Sequence, residues 1–165
     1  MMASSALLFR YRLALGAFIV GLLISGITAF PLLVEVRLLA HALGIDSPEQ
    51  YAAFNGLHRW IAQVLLGLEQ VHRAFPFLAY GTDWLAFGHL CLAVFFVRPL
   101  FHPLESDWVL RCGLICCAGA IPLALIAGEL RGVPAFWRLV DCSFGVFGAV
   151  PLGYCLRLSR QLRSA

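Results

Sequence analysis

Six side chains in this sequence have the chemistry to move a proton or hold an anion, and the spacing of the apolar runs gathers them at one level. They are Asp83, His89, Glu129, Arg131, Arg138 and Asp141. Asp83 begins one apolar stretch, Glu129 and Arg131 end the next, Arg138 opens the last, and Asp141 lies one turn deeper. His89 follows Asp83 by six residues, roughly 9 Å along a helix axis. An ionisable group inside a membrane span costs roughly 2.5–3.5 kcal/mol on insertion scales, so each asks for a partner or a purpose. Two readings are open. In the first, Arg138 and Asp141, three apart on one helix, neutralise each other while Asp83 and Glu129 reach headgroup water. In the second, Asp141 and His89 form a buried acid–imidazole pair able to carry or exchange a proton, with Arg138 orienting Asp141 or holding an anionic group.

Other chemistry finds less support. His58 and His72 share a helical face but stand about 21 Å apart, too far to share one metal ion. A haem between helices wants two histidines at matching depth, and only His89 lies well inside a span. The six cysteines, Cys91, Cys112, Cys116, Cys117, Cys142 and Cys155, all fall in apolar runs and form no Cys-x-x-Cys pair. There cysteine acts as a small hydrophobe that lets helices approach. No metal site and no cofactor is therefore expected. Hydrolase elbow, P-loop, His-Glu-x-x-His and dinucleotide fingerprints are absent, so no catalytic residue is assigned. All twelve basic residues are arginines and they are scattered, which argues against nucleic-acid binding.

The elements that must position these groups are membrane helices. Hydrophobic residues make up 61% of the 165 and charged residues 13%, about half the charged share of a soluble domain. Such a chain needs lipid as its solvent. Four apolar runs of spanning length read as helices at about 13–33, 82–101, 108–127 and 136–156. The first has the flanks of a signal peptide, but its length of about 20 residues favours an uncleaved span, kinked at Pro31 and continuing towards Gly44. Between the first two spans, Ser47, Pro48 and Gln50 form a helix-start signature. From Tyr51 and Phe54 through His58, Ile61, Leu65, Leu68 and His72 to Phe75, one seam repeats every three or four residues. Arg59, Gln63, Glu69, Gln70 and Arg73 occupy the other faces. Residues 48–75 thus read as an amphipathic helix on the membrane or capping the bundle. The expected fold is all-α, a single membrane domain over 1–165 in which four spans form a bundle with this helix added.

Orientation follows the arginines. Arg10 and Arg12, Arg98 and Arg111, and Arg157, Arg160 and Arg163 mark three regions that share one side of a four-span protein. Both termini are therefore expected in the cytoplasm. Trp60, Trp84, Trp108 and Trp137 stand at or beside span ends, as an interfacial belt requires. Small residues recur every fourth position at Ala17, Gly21, Ser25 and Ala29, at Cys112, Cys116, Ala120, Ala124 and Gly128, and at Gly145, Ala149 and Gly153. Such ridges serve close packing within one chain or between copies.

The stretches Thr82-Asp83-Trp84-Leu85-Ala86-Phe87-Gly88-His89 and Arg131-Gly132-Val133-Pro134-Ala135-Phe136-Trp137-Arg138-Leu139-Val140-Asp141-Cys142 resemble segments of an uncharacterised family of small bacterial membrane proteins. The resemblance covers the C-terminal half, implies a bacterial inner-membrane location and carries over no activity. The expected function is a non-enzymatic inner-membrane component that binds a partner protein, itself or a lipid. The alternative is a small oligomeric transport or channel unit in which Asp83, His89, Arg138 and Asp141 handle a proton, ion or anionic solute. An enzyme would need a water-accessible pair, which only His89 with Asp141 or Asp83 could supply.

Overall fold

Proline and glycine decide where the helices of this chain break. In the computed structural model, which describes residues 2–164, the first apolar run forms α1 (Met2–Ala29) and stops just before Pro31. Proline lacks an N–H and its ring crowds the preceding turn. The chain restarts as α2 (Leu32–Ala42), with the amides of Val34 and Glu35 both bonding the Pro31 carbonyl at 2.8 and 3.0 Å. The expected kink is thus a full break. Gly44 ends α2 at φ +71. The Ile45 amide reaches back to the Ala40 carbonyl at 2.9 Å and that of Gly44 to His41 at 3.0 Å, the Schellman arrangement. Ile45 and Ala40, both buried, supply its apolar contact.

The expected continuous helix over 48–75 is corrected by the structure. A 3-10 helix covers Pro48–Ala53, Phe54 is extended, and Gly56, at φ +53, opens a separate helix α3 (Gly56–Ala74). Asn55-Gly56 is a turn pair, and its left-handed glycine interrupts what the apolar seam alone would continue. Neither Ser47 nor Asn55 makes a side-chain cap bond. Tyr51 and Phe54 therefore lie off the helix, and the seam survives only within α3. There Ile61, Ala62 and Leu65 are buried, while His58 and His72 are exposed. Arg37 of α2 donates to Glu69 of α3 from Nε at 3.0 Å and Nη2 at 2.9 Å. Arg73, one turn on, stands 3.6 Å from the other oxygen of Glu69.

A second 3-10 turn, Pro76–Ala79, leads directly into α4 (Tyr80–Phe101). Pro99 sits buried inside the last turn of this helix. Helix α5 (Asp107–Pro122) continues through a π turn at Leu123–Ala127 into the short α6 (Gly128–Leu130). Pro122 removes the amide that would bond the Ala118 carbonyl, and the backbone widens into the π turn directly after it. Gly132, at φ +72, then reverses the chain. Its amide bonds Glu129 at 3.0 Å and that of Val133 bonds Gly128 at 2.8 Å, a second Schellman closure. Helix α7 (Ala135–Arg163) follows Pro134 and runs well beyond the expected 156.

Four stretches, Ser5–Ala29, Pro76–Phe101, Asp107–Leu130 and Ala135–Arg163, are long and apolar enough to cross a membrane. Their outward residues are large and apolar, including Phe147 at 74% exposure, Trp108 at 72% and Leu123 at 68%. The chain divides into two compact units, one of residues Leu23–Leu90 and the other of the remainder. Within the first, Gly26 of α1 faces the Ala86 carbonyl and Leu90 of α4 at distances that leave no room for a side chain.

Within the second unit, Tyr11 and Leu15 of α1, Phe96 of α4, Leu110 of α5 and Leu152, Cys155 and Leu156 of α7 make a common core. Phe18 and Phe96 meet edge to face at 4.8 Å, the geometry that aromatic quadrupoles favour. Helices α5 and α7 run antiparallel in fixed register. Ser159 meets Asp107, Leu152 meets Gly113, Gly145 meets Cys117, and Arg138 meets Leu125. A Cβ on Gly145 would lie 2.5 Å from the Cys117 carbonyl oxygen, so the two backbones touch there. The contacting residues of α5, Gly113 and Cys117, stand one position round from the small ridge marked in the sequence. Cys116, on that ridge, is exposed.

Candidate functional site

The hairpin of α5 and α7 carries a polar cluster at each end. At the turn end, Arg138 Nη1 donates to Glu129 Oε2 at 2.7 Å and to the Leu125 carbonyl at 3.1 Å. Leu125 lies inside the π turn, where widened backbone bonding leaves carbonyls in need of donors. Gly128 makes the crossing possible, since a Cβ there would sit 2.9 Å from the Arg138 side-chain carbons. Arg138 is only 17% exposed at its side chain, whereas Glu129 is 74% exposed. One turn deeper, Cys142 Sγ stands 3.9 Å from the Ile121 carbonyl. Two side chains of α7, four residues apart, thus face two carbonyls four apart, Leu125 inside the π turn and Ile121 just before it.

Of the six residues singled out in the sequence, the structure joins Glu129 and Arg138. Arg138 and Asp141 do not pair; Arg138 Nη1 turns to Glu129 and the Leu125 carbonyl, and its buried Nε has no partner among the described residues. Asp141 is half-buried and has no ion pair among the described residues. Arg131 is exposed at the turn. Asp83 and His89 belong to the other unit. Asp83 lies in the first turn of α4, where the helix dipole favours a negative charge. His89 Nδ1 stands 2.9 Å from the Leu85 carbonyl of its own helix. That contact uses one ring nitrogen and leaves the other.

The open end of the hairpin holds a cluster that sequence reasoning missed. Fully buried Ser159 donates to Asp107 Oδ1 at 2.7 Å, with the Pro103 carbonyl 3.1 Å away. Arg163 Nη2 approaches the same carboxylate oxygen at 2.9 Å and bonds the Leu104 carbonyl at 2.7 Å. Cys155 Sγ lies 3.5 Å from the Tyr11 carbonyl, and the buried Tyr11 hydroxyl has no partner among the described residues. Asp107 reads in the sequence as part of a polar link and Arg163 as part of a basic tail. The available signal was Asp107 at the first position of a helix, facing a serine one membrane thickness from Arg138. Arg138 to Ser159 is roughly 31 Å along α7, close to the ~30 Å of a hydrocarbon core.

Both clusters fasten helix to helix. All six cysteines are unpaired. Among the described residues, no three His, Cys, Asp or Glu side chains converge as metal ligands. No family model, curated protein or solved structure matches the chain.

Proposed function

We propose that this chain is a non-enzymatic component of a bacterial inner membrane, acting by binding a partner protein, a second copy or a lipid. In this reading the four spans put both termini on one side, the arginine-rich flanks make that side the cytoplasm, and α3 is an amphipathic helix on the opposite surface. The observation that carries this reading is the occupation of Arg138. The arginine best placed to hold an anionic solute is largely buried in its own hairpin, where its Nη1 donates both to Glu129 and to the Leu125 carbonyl. Short connections support the place of α3. Two residues separate α1 from α2, and a four-residue turn joins α3 to α4 with a single residue between. Exposed Val34, Leu38, Phe75, Phe77 and Leu78 along this excursion suit an interface more than water.

Asp141 favours the second reading, a small oligomeric transport unit. It is half-buried and without an ion pair among the described residues, a group free to take up and release a proton or ion. Reconstitution of Asp141→Asn and Arg138→Gln into proteoliposomes separates the two. The binding reading expects no proton or chloride flux from the wild-type chain and lowered unfolding stability in Arg138→Gln. Flux in the wild type that disappears in a fully stable Asp141→Asn would overturn it.

A further inference from the structure

A groove of about 490 Å³ lies between α5 and α7. Leu114, Ala118 and Ile121 form one wall, and Val146, Ala149 and Val150 the other. No charged side chain lines it. Gly153 stands one turn beyond Ala149 on α7, and a Cβ there would meet nothing within 4 Å. Helical spacing then brings each wall to an arginine. Arg111 stands one turn before Leu114, and Arg157 one turn after Gly153. Both are exposed, and neither has an ion-pair partner among the described residues. Arg98 and Arg163, by contrast, are paired with Glu105 and Asp107. Exposed Trp108, one turn from Arg111, marks the same level as an interface.

We infer that this groove seats one anionic phospholipid, an acyl chain lying against Ala118, Ala149 and Val150 and the headgroup phosphate between Arg111 and Arg157. The distance from Arg111 to Ile121 is about 15 Å along the helix, one half of a ~30 Å hydrocarbon core, as one acyl chain of a single leaflet requires. Basic mouths between transmembrane helices suit anionic headgroups for this reason. A second copy in the groove would bring its own arginines to the same level, whereas a phosphate neutralises both. The inference rests on the binding reading above and names the lipid as its ligand.

Native mass spectrometry of the full chain in a non-ionic detergent tests it, with phosphatidylglycerol and phosphatidylcholine of matched acyl chains as probes. Phosphatidylglycerol is expected to bind preferentially. The Arg111→Gln/Arg157→Gln variant should lose about thirtyfold in its affinity, taking ~1 kcal/mol per arginine. Ala118→Phe, at an exposed position of the wall, should also weaken binding, while Arg10→Gln/Arg12→Gln should stay within about twofold. Free glycerol phosphate should not displace the lipid. The inference fails if the α1 variant loses as much as the mouth variant, if Ala118→Phe binds like wild type, or if glycerol phosphate competes. Failure with a folded, monodisperse chain leaves partner or self binding standing, whereas solute flux would overturn that wider reading and not the groove.

Discussion

Replacing Gly145 by alanine should separate α5 from α7 at their closest point. The added Cβ would stand 2.5 Å from the Cys117 carbonyl oxygen and 3.5 Å from the Ala120 methyl. Tolerated C···O contacts begin near 3.3 Å, so the helices must part locally by roughly 0.8 Å. Backbone cannot rotate away as a side chain can. A gap of that order forfeits about a quarter to a half of the dispersion energy at neighbouring contacts. Overpacking of this kind costs about 1–3 kcal/mol, and alanine's better helix propensity returns up to ~1 kcal/mol. The net expectation is a loss of ~1–2 kcal/mol. Gly153→Ala, on the same helix and in open space, should be neutral or slightly stabilising. Reversible unfolding of both variants in mixed micelles, followed by circular dichroism, measures the difference. Equal stability of the two would refute the close crossing.

Other outcomes follow from the same geometry. Ser159→Ala should cost about 1.5–3 kcal/mol, because it removes a hydrogen bond to a largely buried carboxylate, and the same unfolding assay reads it. Gly132→Ala forces a side chain into φ +72 at the turn between α6 and α7 and should cost about 1–2 kcal/mol. Hydrogen exchange at the Val133 amide should then speed up, since its bond to Gly128 depends on that turn. Arg37→Gln should have a smaller effect, at most ~1 kcal/mol, because the pair it breaks with Glu69 is half open to solvent. Protease sensitivity between α2 and α3 would report it.

The spans were legible because spanning length and apolar content are properties of composition. Residues 82–101 and 108–127 differ from the helical stretches only at their ends. The stop at Gly44 was also marked, and Pro31 was marked as a kink where the chain in fact breaks, since proline and left-handed glycine act locally. The helix over 48–75 misled for a physical reason. Its apolar seam passes through Asn55-Gly56 without a gap in period, and periodicity carries no record of the backbone angle at one glycine. The polar groups were the least legible. Arg138 and Asp141 satisfy a same-helix spacing rule, but the π turn after Pro122 presents a carbonyl and Glu129 from the neighbouring helix, and these win. Asp107 and Ser159 are 52 residues apart in sequence and meet only because α5 and α7 run antiparallel.

A double-mutant cycle on Glu129 and Arg138 tests the central claim most directly. Glu129→Gln, Arg138→Gln and the double variant are unfolded from nanodiscs containing the full chain. The account expects a coupling of about 0.5–1 kcal/mol, modest because Glu129 is exposed, and a larger single loss at Arg138, which also serves the Leu125 carbonyl. Zero coupling, with Arg138→Gln as stable as wild type, would contradict it and return the arginine to solute handling.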